Sequence, residues 1–265
     1  MSRNKKIAVW VVGVILALVV LVYGGIFVYI KFFNKAEKNF DTGDTKTALN
    51  DAASTVPGTV VTTTVPSSDD AGGATTTAGD VPSDGEALTA DNIAGTWTIN
   101  SNSTVGYRVK ETLGGVDTEA VGRSSGITGS LTVEGTTVTA TELTIDMTTF
   151  SSDSSQRDSQ FNGRIMQVSK FPTATFKLTS PIDLASIPAE GSTLDVKATG
   201  DLTLHGVTKS VTFDLTAQQG SGRIGVNGST EITFADFGID NPSNGFAETG
   251  DTGTLEFVLV FGRAA

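Results

Sequence analysis

Residues 192–217 carry the clearest alternation in the chain. Leu194, Val196, Ala198, Gly200, Leu202 and Leu204 share one parity, while Thr193, Asp195, Lys197, Thr199, Asp201 and Thr203 fill the other. After His205-Gly206 the alternation resumes, with Val207, Val211, Phe213, Leu215 and Ala217 set against Thr208, Ser210, Thr212, Asp214 and Thr216. A period of two predicts two half-buried antiparallel strands joined by a tight turn. Such strands are long beside the usual length of about 5–6 residues. Long strands with one apolar face are what a closed barrel with an apolar interior needs.

The same period recurs on both sides of this hairpin. It predicts strands around Thr96–Asn100, Val105–Val109, Asp117–Arg123, Ile127–Val133 and Leu143–Met147, with a parity slip near Ala140 that marks a bulge. Further strands follow around Ala174–Leu178, Ile224–Phe234 and Leu255–Phe261. The polar stretch Ser151–Arg164, with Phe161 and Ile165 spaced i, i+4, predicts a short helix capped by Ser154 or Ser155. The expected architecture is all-β: an antiparallel barrel of about eight strands with one helical insertion. Tyr107, Ile145, Phe176, Val196, Leu204, Phe213 and Phe257 lie on the apolar parity of their strands and are the candidate lining of an internal cavity. The period alone leaves open whether that interior is filled by side chains or holds a ligand.

The N-terminal third follows other rules. Residues 1–6 form a short basic tail. Ile7–Ile30 holds no charged residue and as a helix would reach about 36 Å, enough to cross a hydrocarbon core of about 30 Å. It is too long for the apolar part of a cleaved signal peptide, and no small-x-small cleavage signal follows it. The reading is an uncleaved signal anchor, with the N-terminus inside and residues 93–265 outside the cell membrane. Residues 31–92 are rich in Thr, Pro, Gly and Asp, lack apolar periodicity, and are expected to be a disordered linker. Such a composition serves a plain spacer or a glycosylated stalk.

Net charge is +5 over residues 1–40, −8 over 41–92 and −8 over 93–265, in a chain of −11 overall. An acidic domain makes a poor nucleic-acid binder, because it brings no counter-charge to phosphates. There is no cysteine and one histidine, His205. A transition-metal site wants three or four strong ligands, so no metal and no cofactor is expected. His205 sits in Leu204-His205-Gly206-Val207, either as a turn residue or as a ligand-contacting or acid–base group. Arg157-Asp158 is either a surface pair or places Arg157 against a ligand head group at the barrel mouth. No P-loop, dinucleotide fingerprint or Gly-x-Ser-x-Gly elbow is present.

Several short runs carry a resemblance. They are Trp97-Thr98-Ile99-Asn100, Ser103-Thr104-Val105-Gly106-Tyr107, Thr144-Ile145-Asp146-Met147, Arg157-Asp158, Phe171-Pro172-Thr173-Ala174-Thr175-Phe176, Gly200-Asp201-Leu202-Thr203-Leu204-His205-Gly206-Val207-Thr208-Lys209 and Asp236-Phe237-Gly238-Ile239. In this order, over roughly residues 97–262, the chain resembles the YceI-like polyisoprenoid-binding family of bacterial lipocalin-like barrels. It departs from many members at Asn100 and Asn102, where they carry Asp and His, and at Phe234-Ala235, where they carry Arg. The resemblance implies a barrel enclosing a lipid chain in a secreted or envelope-bound protein, and no catalysis. The expected function is therefore a membrane-tethered, extracytoplasmic binding protein for an isoprenoid or similar long-chain lipid, with Arg157 as the candidate head-group contact. Two rivals remain. One is an isomerase or cyclase of an apolar substrate using Arg157, Asp158 or His205; the other is a filled-core interaction module.

Overall fold

The structure, a computed structural model, describes residues 14–25, 28, 36–54, 85–245 and 247–264. Its strands are β1 (Gly95–Ile99), β2 (Thr104–Leu113), β3 (Val116–Ser124), β4 (Ile127–Glu134), β5 (Thr137–Asp146), β6 (Ser151–Ser152), β7 (Thr173–Leu178), β8 (Ile182–Asp183), β9 (Thr193–Leu204), β10 (Val207–Gly220), β11 (Arg223–Thr233), β12 (Ala247–Thr249) and β13 (Thr252–Arg263). Two α-helices accompany these strands, α1 (Thr42–Ser54) and α2 (Ser155–Gln160), besides the helical residues 14–25.

Eight strands close a ring in the order β1-β4-β5-β7-β9-β10-β11-β13, sealed by Trp97↔Arg263 and Ile99↔Phe261 between the first and last. All of its pairings are antiparallel. The β2–β3 hairpin continues from β13 over the half of the barrel that β1 does not reach. The strongest alternation becomes the longest pairing: β9 and β10 run in register from Leu204↔Val207 to Thr193↔Gln218. Their turn places His205 at φ 52° and Gly206 at φ 79°. Two successive positive φ values are the two-residue hairpin turn whose twist matches that of its strands. The slip near Ala140 is a bulge: Thr132 faces Ala140 but Val133 faces Val138.

Each end of the barrel is stopped by side chains. At one end lie Leu88, Ile93 and the fully buried Trp97, whose indole N–H donates to the Ile93 carbonyl at 2.9 Å. Gln219 fastens this plug: its amide oxygen accepts from the Leu88 N–H, and its nitrogen donates to the Leu88 and Pro188 carbonyls. Met147, Phe161, Met166, Phe234 and Phe237 close the other end. The expected helical insertion is α2, capped by the Ser154 hydroxyl, which accepts from the Arg157 N–H. It widens into a π-helical turn at Phe161–Ile165, where the Met166 N–H donates to the Phe161 carbonyl.

The linker expectation for residues 31–92 needs correction. Residues 42–54 form α1, docked on the outer wall of the barrel. Asp41 caps it: its carboxylate accepts from the Gly43 and Asp44 N–H groups, and the Asp44 carboxylate accepts in return from the Asp41 N–H. Thr45, Leu49 and Ala52 are buried at i, i+4, i+7, the last two against Val260. Burying one leucine is worth about 1.5–3 kcal/mol, enough to hold a short helix in place. Ahead of α1 the chain crosses from β3 to β10. The Glu37 carbonyl accepts from Arg108, the Lys38 carbonyl from Arg123, and the Thr42 carbonyl from Gln218. Residues 85–92 include the Leu88 plug, and residues 55–84 lie outside the described residues.

Glycine at 225 makes this docking possible. A Cβ there would stand 2.6 Å from Thr45 Cγ2 and 2.8 Å from Leu49 Cδ1. Gly225→Val is expected to lever α1 off while the barrel stays closed, at a cost of about 1–3 kcal/mol. Limited proteolysis should then cut within residues 42–54, where the parent chain resists.

Of the predicted membrane span, residues 14–25 are helical and exposed. Apart from Val28, the rest of it lies outside the described residues. Among the described residues no helix is long and apolar enough to cross a membrane.

Candidate functional site

The ring encloses a cavity of about 230 Å³. Inward parity positions on the barrel strands supply its wall. Phe176, Phe213 and Phe257 form a ladder of edge-on rings across its middle, with centroids 5.5 and 5.4 Å apart. Such pairs add about 0.5–1.5 kcal/mol each beyond area burial and hold the rings in fixed orientations. All seven residues expected on the cavity wall stand there: Tyr107, Ile145, Phe176, Val196, Leu204, Phe213 and Phe257. Among the described residues polar side chains in the lining are few, and three of them are engaged elsewhere. Gln219 is committed to the plug and Gln218 to Thr42, while Glu256 pairs with Arg108 and Arg123.

A second hollow of about 440 Å³ adjoins the cavity at the end nearer α2. Tyr107, Phe161 and Leu255 line both spaces. The Tyr107 and Phe161 rings stack at 4.9 Å with planes 7° apart, and Phe150 leans on both. These three rings stand between the apolar interior and a groove of mixed lining, in which Glu111, Arg157 and Arg164 sit among apolar side chains. Burial raises the Tyr107 hydroxyl well above the ordinary tyrosine value, outweighing the opposing pull of Arg157. It therefore stays a neutral donor throughout the physiological range.

That shift has a consequence for stability. A group whose folded pKa is raised contributes stability that is complete below its ordinary value, about 10, and is lost as pH rises beyond it. Tyr107 is the only tyrosine after residue 29. A fragment of residues 36–265 is expected to show no tyrosinate absorbance at pH 10, where a free tyrosine is half ionised, and to lose stability above that pH. Half-ionisation near pH 10 with the fold intact would contradict the burial of this hydroxyl.

Arg157 lies in the groove, outside the cavity wall. Its side chain is 17% exposed; it pairs with Glu111 at 3.2 Å and with Asp153 one helical turn before it. Burial alone would pull its pKa down, but the two carboxylates outweigh that and the net shift is upward. Of the two readings of Arg157-Asp158, the surface pair does not form. The Asp158 carboxylate instead accepts from the backbone N–H and the hydroxyl of Ser152, closing the turn ahead of α2. His205 is buried elsewhere, its Nδ1 3.3 Å from the Phe237 carbonyl and its ring against Phe171. The three polar residues that an enzyme reading would use are thus not gathered into one constellation. Among the described residues no group of three His, Asp or Glu could hold a metal ion.

Two features escaped the sequence reading. Glu111, the partner of Arg157, lies 46 positions away on β2, and nothing local joins them. The buried ion network of Arg108, Arg123 and Glu256 spans three strands. Its one sequence trace is the unbroken apolar run Phe257–Phe261 beside Glu256, which signals a strand buried on both faces.

A closed antiparallel barrel of eight strands with an apolar interior is a lipocalin-like barrel, and its interior suits an apolar occupant. Residues 97–261 match the YceI-like domain, and the chain belongs to that family. A UPF0312 protein of Pseudomonas putida strain W619 is 36% identical over 124 residues, which cover 43% of this chain and 60% of that one. A UPF0312 protein of Pseudomonas aeruginosa strain LESB58 is 36% identical over 127 residues, 44% of this chain and 62% of its own. The chain thus spans about 60% of the length of the curated relatives it matches. Among solved structures, a polyisoprenoid binding domain from Saccharophagus degradans, implicated in plant cell wall breakdown, superposes with a TM-score of 0.53. It shares 18% identity, over 64% of this chain and 99% of that one, and so attests the fold.

Proposed function

We propose that this chain is a membrane-tethered, extracytoplasmic binding protein whose barrel holds an isoprenoid or similar long-chain lipid. The observation that carries the reading is the apolar cavity running the length of a barrel stopped at both ends. Its volume is below the range of about 300–1,000 Å³ common for small-molecule pockets. It therefore suits a slender chain better than a broad ring system. The polyisoprenoid binding of the Saccharophagus degradans domain supports the same ligand class. Tethering rests on Ile7–Ile30, 24 uncharged residues flanked by Lys and Arg. Carriage, storage or sequestration is the role that burial in the apolar cavity supports, and among the described residues Arg157, Asp158 and His205 are not gathered around it.

Incubation of the full chain with a long-chain isoprenoid tests this directly. The expected result is saturable binding and recovery of the ligand unchanged. Recovery of an isomerised or cyclised product would overturn the carrier reading in favour of an enzyme. Failure to bind any long-chain lipid would leave a barrel whose core merely fills itself.

A further inference from the structure

We propose that the barrel lies against the lipid bilayer by the flank that carries β2 and β3, clasped there by residues 37–54. This rests on the membrane-tethered reading above and adds how far, and by which face, the barrel stands from its membrane.

The clasp is built along the whole of that segment. The Glu37 carbonyl accepts from Arg108 of β2 at 2.6 Å, and the Lys38 carbonyl from Arg123 of β3 at 3.1 Å. The Arg123 guanidinium also lies 3.8 Å from the centre of the Phe40 ring. The Thr42 carbonyl accepts from Gln218 of β10 at 2.9 Å, and the Thr45 hydroxyl donates to Asn227 of β11 at 3.0 Å. Leu49 and Ala52 pack on Val260 of β13. Contacts to five strands thus fix one segment on the wall.

This docking shortens the tether. The uncharged run ends at Ile30, and Glu37 already touches the barrel. Seven residue steps span at most about 25 Å. A free chain from Ile30 to Gly85 would instead have a root-mean-square span of about 40 Å. Residues 55–84 add nothing to the reach, because α1 before them and Leu88 after them are both held on the barrel.

The point of entry selects the face. The chain meets the barrel at Arg108 and Arg123 and runs from there towards β10, so the β2–β3 flank is the membrane side. In the ring β7 stands opposite β13, the neighbour of β2, and its outer face is turned away. The same hairpin supplies Val109, Glu111 and Leu113 to the groove beside α2, which brings that groove to the membrane side. A barrel so placed exchanges its ligand with its own bilayer. Charge is not what draws the flank in: Arg108 and Arg123 are paired with Glu37, Glu119 and Glu256. The same proximity is therefore expected on neutral lipid.

The chain has no cysteine, so single labels are clean. A fluorescent donor is attached to Lys110→Cys on β2 or to Lys177→Cys on β7, both exposed positions. Each full chain is placed in phosphatidylcholine nanodiscs with an energy-transfer acceptor on the lipid headgroup. Transfer from position 110 is expected to be at least about twofold more efficient than from position 177, given so short a leash. Equal transfer from the two would overturn the proposal while leaving the tether intact. A full chain that does not enter nanodiscs would overturn the tether reading, and the proposal with it. Undocking α1 by Gly225→Val should bring the two labels level. Leu49→Asp should do the same without altering any barrel residue. If either variant frees α1, shown by proteolysis within residues 42–54, and yet keeps the asymmetry, the clasp is not what orients the barrel.

Discussion

Glu256→Ala is expected to destabilise the folded domain by about 3–5 kcal/mol, the cost of removing one partner from a buried ion network. Glu256 is 4% exposed on β13 and holds Arg123 at 2.5 Å and Arg108 at 3.3 Å. Its other oxygen accepts from the Phe40 N–H, and the Arg123 guanidinium lies 3.8 Å from the centre of the Phe40 ring. Without Glu256 the two guanidinium groups keep only Glu119 and the exposed Glu37 as partners, and their buried sides are left without an anion. Urea unfolding of residues 36–265 would read the loss. Glu119→Gln is the control: Glu119 also pairs with Arg108 but is 33% exposed, so its removal should cost no more than about 1 kcal/mol. Equal losses from the two variants would contradict the assignment of Glu256 as the centre of the network.

Phe213→Trp is expected to leave the fold intact and lower lipid affinity by tenfold or more. Phe213 is the middle ring of the ladder, 7% exposed, between Phe176 and Phe257. The larger indole projects into the cavity, and overpacking of this kind costs about 1–3 kcal/mol of stability. The effect on binding is large because the tail supplies most of the attraction. Burying about 400 Å² of tail at about 25 cal/mol per Å² yields roughly 10 kcal/mol before costs. Association consumes about 4–15 kcal/mol of such a gain, so even a partial loss of tail contact shows in affinity. Circular dichroism would confirm the fold, and titration with a long-chain isoprenoid would read the loss. Undiminished binding by a folded variant would place the ligand elsewhere.

The cavity was legible in the sequence because strand parity is a strict physical rule: every second side chain faces inward, whatever lies far away in the chain. Hence Ile145, Val196 and Phe257 could be placed on one wall from three separate strands. The outer surface was not legible by that rule. Residues 42–54 show only three buried positions amid Thr, Asp and Gly, too narrow a stripe to stand out from a linker. Two local signs were nonetheless present, the reciprocal cap Asp41–Asp44 and the spacing of Leu49 and Ala52. The third sign lay far downstream, in Val258 and Val260, which share the outward parity of β13 and yet are apolar. Arg157 shows the limit most clearly. Its position on a helical insertion could be read, but its charge balance depends on Glu111, brought to it only by the closure of the barrel.

Extraction of lipid from the full chain, purified from its native membrane in mild detergent, tests the central claim most directly. Mass spectrometry of the extract should find a long-chain apolar lipid, close to one molecule per barrel, and the Phe213→Trp variant should yield much less. A barrel that comes out empty and takes up none of the quinones, polyprenols or carotenoids offered to it would contradict the account.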